Sequence, residues 1–185
     1  NDKVRARFNA QLYAPEEMCS YKDTADFFWV TDHGTRGRID MVVYSFPYVS
    51  GRTFTLDYLV AMRDSVLGEH IQGAFPGSYM TTEKRFTPSY EAISKNGEYC
   101  GVVRGLWEME GDMMGGPFVS HAHLDEKNQR VVVAETFVYA PGTKKRNCSG
   151  GRSFALYDLH GLTEKEKEGR RWIMFCPPSF IKISG

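Results

Sequence analysis

The residues most able to do chemistry lie between positions 104 and 135. His121 and His123 stand at i and i+2 in a segment with strand character, so both imidazoles share a face, and Asp125 follows on that face. A His-x-His-x-Asp array is a ligand set for zinc or a similar metal. No HExxH motif accompanies it. The plainer alternative is an exposed strand end before a polar turn. Arg104, Glu108, Glu110 and Glu135 are charges set in apolar strands. Alternation puts Arg104, Leu106, Glu108 and Glu110 on one face, where two carboxylates could divide acid and base work, as in glycoside hydrolysis. The competing expectation is a solvated face with cross-strand arginine pairs. No nucleophile converges with them, and Ser120 beside His121 is adjacency rather than a triad.

Between these groups runs Gly111-Asp-Met-Met-Gly115-Gly116-Pro117. It lacks the GxxxxGK[ST] spacing of a phosphate loop and no helix follows. Glycines within a strand mark a bulge or a close backbone approach, and Pro117 predicts a break in the ladder. Met113 and Met114 would serve as adaptable apolar contacts of a binding loop. With Trp107, Glu108 and Glu110 they form the candidate ligand-binding set. Trp29, Tyr44, Phe46, Phe118, Phe137 and Tyr139 are expected mostly in the core. A sheet face left uncovered would let such rings stack on a glycan or peptide.

The chain that must position these groups has 185 residues, about one domain. Hydrophobic residues make up 42% and aromatics 14%, enough for a core and against global disorder. Lysine plus arginine equals aspartate plus glutamate at 23 each. A neutral chain has no bulk attraction for phosphate backbones, which argues against nucleic-acid binding. No apolar run approaches the roughly 20 residues that span a bilayer. The opening NDKVRARFNAQLYAP is charged, with no apolar signal region, and suggests a fragment. Cys19, Cys100, Cys148 and Cys176 form no CxxC pair, so a cysteine zinc site is unsupported.

Periodicity predicts the elements. Residues 1–7 read as the end of a helix and FNAQLYAP as a short strand, followed by a loop over EEMCSYKDT. DFFWVTD is a strand, HGTRGR a turn, and IDMVVYSFPY a central strand apolar on both faces. Phe54, Tyr58, Met62 and Val66, with Leu59 alongside, make the stripe of an amphipathic helix. Ser50 or Thr53 would cap it, Gly68 would stop it, and Arg63 and Asp64 would lie away from the stripe centre. IQGAFPGSYM ends in a short strand, and TTEKRFTP is a polar loop. SYEAIS, EYCGVVRGLWEME, MMGGPFVSHAHLD and VVVAETFVYAP follow as strands, joined by the turns KNG, GD and EKNQR. Connections this short favour an antiparallel meander.

The block RGLWEMEGDMMGGPFVSHAHLDEKNQRVVVAETFVYAP, followed by the Lys-Lys-Arg of residues 144–146, resembles a family of bacterial lipoproteins of the Bacteroidetes type. That family is known only as a domain of unknown function. SYKDTADFFWVTDHGTRGRIDMVVYSFPY, Arg63-Asp64-Ser65 and PGSYMTTE share the resemblance, which covers about residues 8–147. It implies a secreted protein with a lipid-anchor signal, of which this chain is the C-terminal part. It implies no activity and no catalytic residues. Relatives continue past the Lys-Arg pair into an amphipathic helix ending in Leu-Tyr. Here NCSGGRSF intervenes before ALYDL, a departure that a compensated reading-frame change would produce. Resequencing the gene and finding those codons intact would refute that hypothesis.

The expectation is therefore an α+β domain over residues 1–147: a twisted, mainly antiparallel sheet of about six strands with one main amphipathic helix on a face. Residues 148–185 would be an atypical tail, disordered or frame-altered. The expected function is that of a non-enzymatic cell-envelope domain with no cofactor, located in the periplasm or envelope. It would bind a protein, small molecule or glycan, and meet the membrane only through a lipid anchor absent from this chain. The alternative is a hydrolase using the strand carboxylates or a His-x-His metal site.

Overall fold

The computed structural model describes residues 2–12, 14, 18–32, 37–95, 98–139, 141 and 181–183. A short helix, α1 (Asp2–Phe8), leads into β1 (Ala10–Leu12). Seven more strands precede the last hairpin partner: β2 (Cys19–Asp23), β3 (Phe27–Thr31), β4 (Arg38–Pro47), β5 (Tyr79–Thr82), β6 (Ser89–Lys95), β7 (Glu98–Glu110) and β8 (Gly115–Asp125). Then comes β9 (Arg130–Tyr139), and the main helix, α2 (Leu56–His70), lies between β4 and β5. β2 to β9 form one antiparallel sheet of eight strands in the order β2-β3-β4-β9-β8-β7-β5, with β6 also paired to β7. β5 and β6 share one border of β7: β5 pairs residues 107–110 and β6 pairs residues 98–104. β1 pairs with β10 (Ile181–Ile183) as a separate ribbon. The remainder of the 148–185 tail, residues 33–36 of the HGTRGR turn and the tip of the KNG turn lie outside the described residues.

The antiparallel meander and its α+β character agree with the periodicity. The strand number does not: eight strands join the sheet, rather than about six. Short elements make the difference. β2 falls in a segment expected to be a loop, because Cys-Ser-Tyr-Lys-Asp does not alternate. Among the described residues it pairs with β3 alone, and its register shifts between Ser20 and Lys22. A bordering strand of this kind needs no apolar face.

β4 and β9 are buried on both faces, which is why their sequences are near-continuous apolar runs. Val42, Tyr44 and Phe46 with Val131, Val133 and Phe137 enter the core beneath α2. Met41, Val43, Val132 and Ala134 enter a second core, closed by Val4 and Phe8 of α1. The sheet is thus covered by a helix on each face, at different places.

The buried stripe of α2 is Leu59, Arg63 and Leu67; Tyr58, Met62 and Val66 are only partly buried beside it. Arg63, expected away from the stripe, lies at its centre with 2% exposure. The stripe is one position out of phase with the sequence expectation because a charged residue holds its middle turn. Ser50 caps a 3-10 turn, Gly51–Phe54, that precedes the helix: Ser50 Oγ accepts from Arg52 N, and Thr53 Oγ1 accepts from Ser50 N. Gly68 does not stop the helix, which continues to His70. It lies where α2 meets β5, and a Cβ there would be 3.3 Å from the Tyr79 ring.

Pro117 does not break the sheet. The β7–β8 register runs without a shift from Cys100↔His123 to Glu108↔Gly115. The glycines mark close approach instead. A Cβ on Gly116 would lie 1.9 Å from the Val138 carbonyl oxygen. Across that gap the Trp107 indole N–H donates to the same oxygen at 3.2 Å. Gly116→Ala should therefore destabilise the fold by about 2 kcal/mol or more, by overpacking and by breaking the indole bond. Gly51→Ala, whose new methyl would meet nothing within 4 Å, should stay within about 0.5 kcal/mol of the parent when both variants are unfolded in urea.

Candidate functional site

The most polar point of the core lies beneath the middle of α2. Arg63 reaches from the helix to Glu135 on β9: Nη2 donates to Oε1 at 2.7 Å and Nε to Oε2 at 2.9 Å. Both side chains are almost fully buried, at 2% and 0% exposure. Nη1 donates to Thr82 Oγ1 at 3.0 Å, and Asp64 lies 3.4 Å from the same nitrogen. The guanidinium carbon sits 3.8 Å from the Phe118 ring centroid, a cation–π contact that covers one face of the plane. Ser120 on β8 donates its hydroxyl to Glu135 Oε2.

Electrostatics favour a charged Arg63 and a neutral Tyr44. Burial works against the Arg63 charge, but attraction and hydrogen bonding from Glu135 outweigh it and keep the guanidinium pKa raised. Burial, with the Glu135 charge behind it, holds the Tyr44 phenol well above its ordinary range. Tyr44, Leu59, Val60, Arg63, Val103, Ser120, Ala122 and Val133 line a cavity of about 10 Å³. That is room for about one water molecule and no substrate.

The sequence-predicted residues are distributed otherwise. Trp107 points into the core beneath α2, 1% exposed and edge-on to Phe137 at 5.6 Å. Glu108 and Glu110 alternate to the opposite face. Met114 packs partly against the core, whereas Met113 is fully exposed at the β7–β8 turn. His121 and His123 share a face, as alternation requires, but are buried at 3% and 4% rather than exposed at a strand end. Burial, helped by His123 and Arg104, pushes the His121 imidazole down to about 4; burial alone does the same to His123. The Asp125 carboxylate is taken by the turn that follows, accepting from Arg130 Nε at 3.0 Å and Asn128 Nδ2 at 2.8 Å. Among the described residues, no group of three or more His, Cys, Asp or Glu side chains is placed to hold a metal ion. His121 pairs with Val102 on β7, six residues before Glu108. That separates the imidazoles from the strand carboxylates by about 20 Å.

Two groups were not expected from the sequence. Glu83, just beyond β5, lies beside Glu108 and is forked by Arg85 Nε, 2.9 Å from each oxygen. The Arg85 hydrogen bonds hold the Glu83 carboxyl down at about 2. Burial, then the hydrogen bond shared with Glu83, raises Glu108. Arg63 is the other. A signal for it exists: Glu135 is the sole charge in VVVAETFVY, so a buried counter-ion was required, and Arg63 stands midway between Leu59 and Leu67.

The amino-acid sequence matches a known family. The chain belongs to the family described as Domain of unknown function (DUF4837), whose model matches residues 1–149. No curated protein matches the chain. The DUF4837 description carries no activity, so function must be argued from this domain's own surfaces.

Two outcomes follow for the DUF4837 core. Arg63→Met or Glu135→Leu alone should cost about 3–5 kcal/mol, because each strands a buried charge. The double variant should recover most of that loss, giving a large coupling energy in a double-mutant cycle by urea denaturation. The histidines set an acid limit. Their folded pKa of about 4 lies below the unfolded value of about 6.5, so the unfolded chain binds protons first as pH falls. Their contribution is complete above about pH 6.5 and is lost progressively toward pH 4. Replacing either with Gln should reduce the slope of stability against pH in that window by up to about 1.4 kcal/mol per pH unit.

Proposed function

We propose that this DUF4837 domain is a non-enzymatic cell-envelope module that acts by binding. On this proposal the complete protein is a lipoprotein of a Bacteroidetes-type bacterium, anchored through a segment upstream of these residues and exposed to the periplasm or cell envelope. The resemblance of residues 8–147 supports the envelope part of the proposal.

One contrast carries the binding role. The buried charges of the core are spent on one another around a one-water cavity, whereas three exposed apolar side chains, Phe75, Tyr79 and Met113, lie near one end of the sheet. The loop before β5 carries Phe75, and β5 begins at Tyr79; they are 61% and 42% exposed. Tyr79 pairs with Glu110, and Ser78 lies beside Gly111, so this loop adjoins the turn that carries the fully exposed Met113. Two rings and a thioether at rigid strand ends suit a protein or glycan partner.

The hydrolase alternative draws on Glu83 and Glu108, whose pKa values are pushed apart. The two carboxyls are within hydrogen-bonding reach of each other, closer than the roughly 5 Å that glycoside hydrolysis needs, and Arg85 occupies Glu83. Binding is therefore favoured.

An amide-shift titration of the labelled domain against soluble oligosaccharides and short peptides separates the two. Binding predicts shifts confined to residues 73–79 and 110–114, lost in Tyr79→Ser/Met113→Ser with the fold intact. Release of reducing sugar or cleaved peptide, abolished by Glu108→Gln, would replace binding with hydrolysis. Absence of radiolabelled palmitate on the complete protein in its host would remove the lipid anchor.

A further inference from the structure

Among the described residues, three segments border the eight-stranded sheet, and two are blunted. β2 shifts register within its five residues, and its Asp23 is held by Lys3 at 2.8 Å and Arg7 at 2.6 Å. β5 has its outward N–H groups taken by the helix and the residue that follows it: Thr82 N donates to Asp64 Oδ1 at 2.8 Å, and Met80 N to Ile71 O at 3.0 Å. β6 is different. Its ladder to β7 is regular from Ser89↔Arg104 to Lys95↔Glu98. Among the described residues, no hydrogen bond other than those to β7 reaches its backbone. A regular seven-residue border of this kind is a template for another strand.

We infer that the partner is a second copy of this chain, docked antiparallel through β6 about a two-fold axis at Ile93. The strand reads Glu91-Ala92-Ile93-Ser94-Lys95, which is complementary to itself when reversed. Pairing about Ile93 sets each Glu91 against Lys95 of the other copy, Ala92 against Ser94, and Ile93 against Ile93. Two opposite-charge pairs thus flank one apolar pair, the combination that stabilises an antiparallel register. A shift by one residue loses both charge pairs and turns every side chain to the wrong face. Glu91 Oε2 accepts from Arg104 of its own sheet at 3.0 Å, and its carboxylate can accept from a second cation as well. The contact is isologous, so it closes at two copies and joins two eight-stranded sheets into one. It does not rest on the binding role above, since a domain without a ligand would pair in the same way.

Charge reversal tests it. By sedimentation equilibrium between about 1 and about 500 μM, the 185-residue chain should associate as a dimer that weakens as salt is raised. Lys95→Glu alone and Glu91→Lys alone should each weaken self-association by about tenfold or more, with unchanged circular dichroism. An equimolar mixture of the two variants should recover a heterodimer, because each then presents the charges the other lacks. A wild-type chain that remains monomeric, a dimer indifferent to Lys95→Glu, or a mixture that fails to associate overturns the inference. So does a monomer that instead captures an added extended peptide.

Discussion

The fold depends on one buried ion pair. Glu135 sits in the middle of β9, the strand at the centre of the sheet, where both faces are packed and a lone carboxylate would be intolerable. Arg63 answers it from the middle turn of α2. The bidentate fork fixes both the depth and the rotation of the helix, because only one helical phase brings that guanidinium over Glu135 and Phe118 together. Leu59 and Leu67, one turn to either side, are buried as a result. An apolar pair of the same volume would hold the layers together as well or better. What the charges add is a unique register, since sliding the helix by one turn would leave two opposite charges separately buried.

From that anchor the bordering strand β5 is also set. Asp64, the neighbour of Arg63, turns toward Thr82 and takes both its backbone N–H and its hydroxyl. Thr82 in turn accepts from Arg63. One dipeptide of α2 therefore fixes the centre of the sheet and closes part of its border. The Trp107–Gly116–Val138 contact plays a comparable part at the other end of the core, locking three adjacent strands through one indole that a side chain at position 116 would exclude.

Much of the fold was legible in the sequence because alternation and short polar turns are local signals. β4 and β9 announced burial on both faces, and the split between Tyr44 and Met41 sides followed from parity. What escaped depended on tertiary partners. β2 became a strand only because β3 offers it a ladder. Gly68 stayed helical because β5 needs the space beside it. Pro117 kept its place because the demand at 115–117 is for close approach, not for a bulge. The polar centre escaped for a similar reason. Arg63 looks like a surface arginine until Glu135, 72 positions away, is recognised as a charge without a local partner. A buried ion pair is readable only as two anomalies that cancel.

The same physics separates this centre from an active site. A catalytic group needs a protonation state poised near its working pH and room for a reacting atom. Here the shifts at Tyr44, His121 and His123 push away from that condition. Tyr44 is driven up by burial and Glu135, and the imidazoles of His121 and His123 are driven down and stay neutral. The cavity beside Arg63 and Ser120 would admit about one water. Ser120 gives its hydroxyl to a carboxylate already held by Arg63. Arg63, Ser120 and Glu135, which in an open cleft would suggest hydrolysis, are here satisfied by each other. Among the described residues, side chains and backbone groups still face outward at the strand ends and along β6.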